Sequence, residues 1–140
     1  MEEYSSILKQ RDLKVTPQRI AILAHLMNSR AHPTAEVIYN DLIKTYPSMS
    51  LATVYKTLET LKNEGIILEI NMGEDAKRYD STTDSHAHFM CLSCKSVIDI
   101  CLPGIFENID AEVSVNHNVS ILDKRMSFYG YCGNCKDILN

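Results

Sequence analysis

At 140 residues, with 45% hydrophobic and 23% charged positions, the chain has the length and composition of one ordinary globular domain or two small ones. No apolar run approaches the roughly 20 residues of a membrane helix, and the opening Met1-Glu2-Glu3-Tyr4 carries acids where a signal peptide carries basic residues, so a cytoplasmic protein is expected. A net charge of −4 argues against a protein that simply coats nucleic acid, but residues 9–30 hold Lys9, Arg11, Lys14, Arg19 and Arg30 against Asp12 alone, which leaves room for a locally basic face.

The first 65 residues read as helices with clear punctuation. A helix over roughly residues 4–12 comes first. Thr16-Pro17 then pairs an N-cap with a proline at the first helical position, and Ile20, Leu23 and Met27 keep helical spacing up to Asn28-Ser29. Pro33-Thr34 opens a helix with Ile38, Leu42 and Ile43 on its apolar face, closed by Pro47. Ser50 caps another, in which Leu51, Val54, Leu58 and Leu61 follow the 3.6-residue period until Gly65. After Gly65 the period shortens. Residues 66–70 (IILEI) and 77–79 (KRY) read as two strands joined by a turn at Gly73-Glu74-Asp75. Helices followed by a hairpin outline a winged helix-turn-helix.

In such a domain the second helix enters the major groove and presents polar side chains from its first turns. With Leu51, Val54, Leu58 and Leu61 turned inward, Ser50, Thr53, Tyr55, Lys56 and Thr57 are left for the exposed side. Hydroxyls there suit phosphates, and the tyrosine ring suits a thymine methyl. The wing adds Lys77 and Arg78 for backbone or minor-groove contact. The bland alternative is an amphipathic helix whose polar face is merely solvated.

Residues 81–85 (STTDS) lack any apolar side chain and read as a hinge between a domain at 1–80 and another at 86–140. In the second domain, strands are expected at 86–91, 96–102, 118–123 and 126–132, with a short helix near 103–112. The expected fold is α+β: an N-terminal winged helix-turn-helix followed by a small zinc-stapled α/β domain.

The zinc reading rests on two C-x-x-C pairs, Cys91/Cys94 and Cys132/Cys135. Tetrahedral Zn²⁺ takes four soft ligands, and each C-x-x-C turn aims two thiolates at one metal. Disulfides are the alternative, but a disulfide framework belongs to small secreted domains. Beside the cysteines stands a second donor set. His86 and His88, one residue apart in an expected strand, send both rings from the same face. Asp99 alternates with Ile98 and Ile100, a costly place for a carboxylate if it is buried without a partner. His32 precedes Pro33, and Asp80 ends the wing. Three imidazoles and two carboxylates suit Fe²⁺, Mn²⁺ or Zn²⁺. His25 and His117 lack such company and read as structural or exposed. Cys101, the fifth cysteine, lies two residues from Asp99 on the same strand face; contact with the metal site is the alternative, and it reads as a half-buried structural thiol.

These runs carry a resemblance. Leu13-Lys14-Val15-Thr16-Pro17-Gln18-Arg19, Ala31-His32-Pro33-Thr34-Ala35, Leu51-Ala52-Thr53-Val54-Tyr55-Lys56-Thr57-Leu58, Arg78-Tyr79-Asp80, His86-x-His88-x-x-Cys91-x-x-Cys94 and Tyr129-Gly130-Tyr131-Cys132-x-x-Cys135 resemble, in order, the motifs of the ferric uptake regulator family. The family comprises dimeric, metal-responsive repressors that bind palindromic DNA. The resemblance implies that residues 86–140 form a dimerisation domain. It also implies that Cys91, Cys94, Cys132 and Cys135 hold structural zinc, and that His32, Asp80, His86, His88 and Asp99 hold the regulatory metal. Tyr55 and its neighbours match the recognition helix, and Lys14 matches a lysine that approaches DNA.

Two features resemble the peroxide-responsive branch: Asp99 stands where iron sensors usually have glutamate, and Leu122-Asp123-Lys124-Arg125-Met126 lacks a histidine found in many iron and zinc sensors. That branch implies oxidation of a ligand imidazole by peroxide at bound Fe²⁺, with His32 and His86 at the oxidised positions. Mn²⁺ would be far less reactive. The expected protein is thus a repressor rather than an enzyme, with no catalytic residues. The alternatives are an iron-sensing repressor and, from other classes, a zinc/thiol redox switch or a catalytic zinc held by His86, His88 and Asp99.

Overall fold

The structure, a computed structural model, describes residues 2–73, 76–84 and 86–139. Glu74 and Asp75 of the expected turn, and Ser85 of the expected hinge, lie outside the described residues. Contacts divide the chain into two compact units, residues 1–83 and 84–140.

In the first unit, helices α1 (Glu2–Gln10), α2 (Pro17–Met27), α3 (Ala35–Leu42) and α4 (Leu51–Asn63) precede strands β1 (Leu68–Ile70) and β2 (Arg78–Asp80). The cap residues explain where the helices begin. Thr16, Thr34 and Ser50 have extended backbones, and each hydroxyl accepts the N–H three residues on, from Arg19, Val37 and Thr53. A short polar side chain thereby satisfies a donor the first helical turn leaves open. The end of α4 is equally explicit. Gly65 turns left-handed at φ 72°, its N–H reaches the Lys62 carbonyl, and the Ile66 N–H reaches Leu61. The guanidinium of Arg11, just past α1, donates to the Glu64 carbonyl at that same helix end, where positive charge is favoured.

One apolar cluster holds the helices together: Leu8 of α1, Ile22, Leu23 and Leu26 of α2, Ile38 of α3, and Val54, Leu58 and Leu61 of α4. Tyr79 of β2 joins it, so the wing is anchored from beneath. Strands β1 and β2 pair antiparallel, with Glu69 opposite Tyr79. On its other side β2 meets the segment before α3, through an antiparallel bridge between Thr34 and Arg78 and a bond from the Tyr79 N–H to the Pro33 carbonyl at 3.1 Å. The wing therefore has three chain segments side by side.

In the second unit, β3 (Ala87–Cys91), β4 (Val97–Ile100), α5 (Ile105–His117), β5 (Ser127–Gly130) and a closing 3₁₀ turn (Lys136–Leu139) follow in order. The sheet runs β4-β3-β5, with β3 antiparallel to β4 and parallel to β5. The expected helix near 103–112 runs five residues further. The expected strand at 118–123 is absent. Asn118 turns left-handed at φ 53° to end α5, and both edges of β3 are already paired. The connection from α5 to β5 passes as irregular chain.

Replacing Ser50 with alanine removes the α4 cap acceptor and should cost about 1 kcal/mol of stability, whereas Ser50→Asp should keep it. Urea unfolding followed by circular dichroism reads this, and an unchanged midpoint in Ser50→Ala would remove the cap from the account of α4.

Candidate metal centres and nucleic-acid interface

The four thiols of the second unit converge. Cys91 ends β3 and Cys94 closes the turn after it, while Cys132 and Cys135 flank the matching turn after β5. The parallel pairing of β3 and β5, with Cys91 opposite Gly130, brings the two turns together. All four Sγ atoms lie within 4.8 Å of one another, and Cys94 and Cys132 are 3.8 Å apart. A tetrahedron with Zn–S bonds of about 2.3 Å has edges of about 3.8 Å. The sulfurs fit zinc, and all five cysteines of the chain are free thiols.

The surroundings prepare these thiols unequally. The Cys132 N–H at 3.4 Å, then the Cys94 N–H at 3.5 Å, point at the Cys91 sulfur and bring it down to about 6. The Ser96 hydroxyl lowers Cys94. Cys135 is pushed up to about 11, first by its bond to the Cys132 sulfur. A divalent cation bound there takes the place of the protons such a cluster would otherwise keep. Cys101, expected half-buried, is exposed.

The same unit carries His86, His88 and Asp99. His88 lies opposite Asp99 in the β3–β4 register, and one Asp99 carboxylate oxygen stands 2.9 Å from His86 Nε2 and 3.3 Å from His88 Nε2. The two rings lie 4.4 Å apart. His86 Nδ1 is also 2.6 Å from the Asp84 carbonyl. A neutral imidazole has one N–H, so two acceptors against one ring call for a second proton or a metal ion.

The first unit repeats this device. His32 is buried, and its Nδ1 lies 2.8 Å from the Arg30 carbonyl. Assigning the proton to Nδ1 leaves the Nε2 lone pair facing the buried Asp80 carboxylate at 3.4 Å. Both histidines use the carbonyl two residues upstream, a local geometry that side-chain spacing does not reveal. Imidazole and carboxylate donors so arranged fit Fe²⁺ or Mn²⁺ as well as Zn²⁺. His25, by contrast, binds Asp41 at 2.8 Å, a simple pair between α2 and α3.

The expected DNA face divides on inspection. Ser50, Tyr55 and Lys56 are exposed on α4, and Lys14 is exposed before α2, its carbonyl held by the Arg19 guanidinium at 2.9 Å. Thr53 is half-buried and shares a hydroxyl bond with Ser50. Thr57, expected on the exposed side, is buried instead. It stands three residues after Val54 and four before Leu61, which puts it on the inward stripe. The Tyr55 hydroxyl donates to Glu36 of α3. That bond holds the Glu36 carboxyl below its usual range and the tyrosine above its own.

Lys77 is exposed but pairs with Glu69 at 3.2 Å, and Glu69 also holds Lys62 at 3.3 Å. Burial disfavours the Glu69 charge, yet the two lysines overcome it and keep its carboxyl below the usual range. Arg78 is half-buried and donates to the His32 carbonyl at 3.3 Å. The partners of Glu36, Glu69, Arg11 and Arg19 are not legible in the sequence, since they are 5 to 53 residues distant or depend on helix packing.

Residues 10–129 match the ferric uptake regulator family. The peroxide-responsive repressor PerR of Staphylococcus aureus is 36% identical over 137 residues, covering 98% of this chain and 92% of that protein. Among solved structures, the Helicobacter pylori ferric uptake regulator Fur superposes with a TM-score of 0.81 at 26% identity, over 96% of this chain and 90% of that one. The Campylobacter jejuni peroxide stress regulator does so with a TM-score of 0.74 at 31% identity, over 93% and 97%. With its winged helix, its four convergent thiols and a match of this extent, the chain belongs to the ferric uptake regulator family.

Proposed function

We propose that the chain is a metal-dependent, DNA-binding transcriptional repressor that acts as a cytoplasmic homodimer and senses peroxide through oxidation of a ligand histidine. The observation that carries this reading is the divided donor set. His32 and Asp80 belong to the winged-helix unit, His86, His88 and Asp99 to the other, and each imidazole already faces a carboxylate. Two or three donors make a poor site; five suit one Fe²⁺ or Mn²⁺ ion. An ion held by all five ties the reading domain to the rest of the chain, so metal and DNA binding share a coupling free energy, typically about 1–3 kcal/mol and reciprocal by linkage. Zinc at Cys91, Cys94, Cys132 and Cys135 is structural.

A second copy of the chain is the partner that suits the second unit. Val115 is 80% exposed and Leu122 98%, and Phe128 and Tyr129 lie exposed on the outer strand β5, an apolar load that marks an interface. In a two-fold dimer the spacing of two α4 helices selects palindromic half-sites. Ser50, Thr53, Tyr55 and Lys56, with Lys14 and the wing lysine Lys77, make the contacts. Peroxide sensing is supported by the 36% identical relative, named a peroxide-responsive repressor. Iron held there would mediate the two-electron oxidation of a ligand imidazole by peroxide, one peroxide oxygen ending on the ring and the other in water. The chain's part is to hold His32 and His86 Nε2 at that ion, and an imidazole that has gained oxygen is a poor ligand, so the tie loosens and DNA is released.

The reading is tested at the thiol cluster, at the DNA face and at the histidine site. Cys91→Ser or Cys135→Ser should lose one tightly bound zinc, and the dimer with it, because binding energy at such sites is folding energy. Retention of full zinc and a folded dimer in either variant would refute the structural assignment. Protons compete for the thiolates, so zinc release by chelator should also quicken as pH falls.

Lys56→Ala and Tyr55→Ala should weaken operator binding, and Lys56→Ala should lower the salt slope by about one if it meets a phosphate. Zinc content should not change. Unaltered affinity in both variants would take α4 out of the interface.

Brief H₂O₂ treatment of the Fe²⁺-loaded protein should add one oxygen to the peptides bearing His32 or His86, by mass spectrometry. Asp99→Glu pushes the carboxylate toward the His86 and His88 rings and should still repress with Fe²⁺ or Mn²⁺ while losing most peroxide sensitivity. His86→Ala should lose metal-dependent repression altogether. A wild type insensitive to peroxide would instead assign it to iron sensing.

A further inference from the structure

We propose that Arg78 is a positioning residue for the ligand His32, and that it acts there in place of the DNA contact its charge suggests. His32 has a left-handed backbone, with φ 53°. Residues with a side chain rarely adopt that region, and they keep it where surrounding bonds over-determine it. Strand β2 supplies those bonds. Arg78 and Asp80 are two residues apart in an extended strand, so their side chains leave the same face. The Arg78 guanidinium donates to the His32 carbonyl at 3.3 Å, and the Asp80 carboxylate stands 3.4 Å from His32 Nε2. One strand face therefore grips one residue at both its backbone and its ring.

Tyr79, between them, points the other way into the core, and its N–H holds the Pro33 carbonyl at 3.1 Å. The bridge between Thr34 and Arg78 completes the pairing. On the far side, the Arg30 carbonyl takes His32 Nδ1 at 2.8 Å, which aims Nε2 at Asp80. The Asp80 carboxylate is steadied in turn by the Thr82 N–H at 2.9 Å. The guanidinium is thus engaged with a buried ligand's main chain. Since β2 is also the returning strand of the wing, Arg78 links the ligand's conformation to the position of the wing.

This inference rests on the reading of His32 and Asp80 as metal ligands, and the test separates the two. Arg78→Met removes the donors and keeps the stem, while Arg78→Lys keeps one donor and the charge. In zinc-loaded, full-length protein, Arg78→Met should weaken Mn²⁺ binding by about 10-fold or more, the usual effect of losing a group that orients a ligand. Arg78→Lys should recover part of that loss. Zinc content, and operator affinity at saturating Mn²⁺, should match wild type.

Without Mn²⁺, trypsin should cut Arg78→Met faster after the exposed Arg30, because the clasp on the following segment is gone. This arm needs no regulatory metal. If Mn²⁺ affinity and the cleavage rate at Arg30 are both unchanged while operator affinity falls and the salt slope drops by about one, Arg78 is a DNA contact and the inference is overturned. If His32→Ala binds Mn²⁺ like wild type, the ligand reading fails, and the cleavage rate of Arg78→Met still decides whether the clasp exists.

Discussion

The pairing of β2 with the segment before α3 is the constraint on which the first unit most depends. Three residues of β2 have three tasks: Arg78 and Asp80 hold His32 from one face, while Tyr79 enters the helical core from the other. A strand alternates its side chains by necessity, so the wing cannot shift register by one residue without withdrawing the tyrosine from the core and the carboxylate from the imidazole. Helix packing and ligand geometry are thereby fixed by the same few backbone bonds. The helix-turn-helix is tied to its wing at the point where the candidate metal ligands sit.

Electrostatics on the reading side follow a related economy. The protein is acidic overall, with a net charge of −4, and its cations near α4 and the wing are mostly engaged. Lys77 and Lys62 share Glu69, Arg11 caps α4, and Arg19 orients the backbone of Lys14. Glu36 even sets a negative charge against the Tyr55 hydroxyl. Ion pairs at a protein surface add little to stability. Their effect is to direct side chains, and they leave a modest surplus of free positive charge. Such a surface suits binding that must be switched on by a metal, since a strongly basic face would hold DNA without one.

The second unit faces a different problem. It is short, its helix α5 buries Phe106 alone among the described residues, and much of its apolar surface is open. Units of this size rarely bury enough surface to be stable alone. Four convergent sulfurs answer the first part of that deficit, since a metal there joins the turns after β3 and β5. An interface over Val115, Leu122 and Phe128 would answer the rest. Lys124 adds a smaller tie, with its ammonium 2.8 Å from Asp110 and lying over the Phe106 ring at 4.1 Å.

The sequence by itself determined what local chemistry decides. Thr16, Thr34 and Ser50 announced the helix starts because a capping hydroxyl acts within three residues, and Gly65 announced an end because it tolerates a left-handed backbone. The paired C-x-x-C turns and the alternation of His86 with His88 likewise express short-range geometry. What depended on packing at longer range was not legible. Thr57 is inward because the apolar stripe of α4 is wider than its leucines suggest. Residues 118–123, strand-like in composition, follow the left-handed end of α5 as irregular chain and join neither sheet. Cys101 is exposed although it follows an apolar strand. Arg78 reads as a DNA-contacting cation in the sequence, which does not show that the fold brings the His32 carbonyl, 46 residues away, against its guanidinium. Only the tertiary structure could show that partner, because a long charged side chain bonds whichever acceptor the folded backbone sets within its reach.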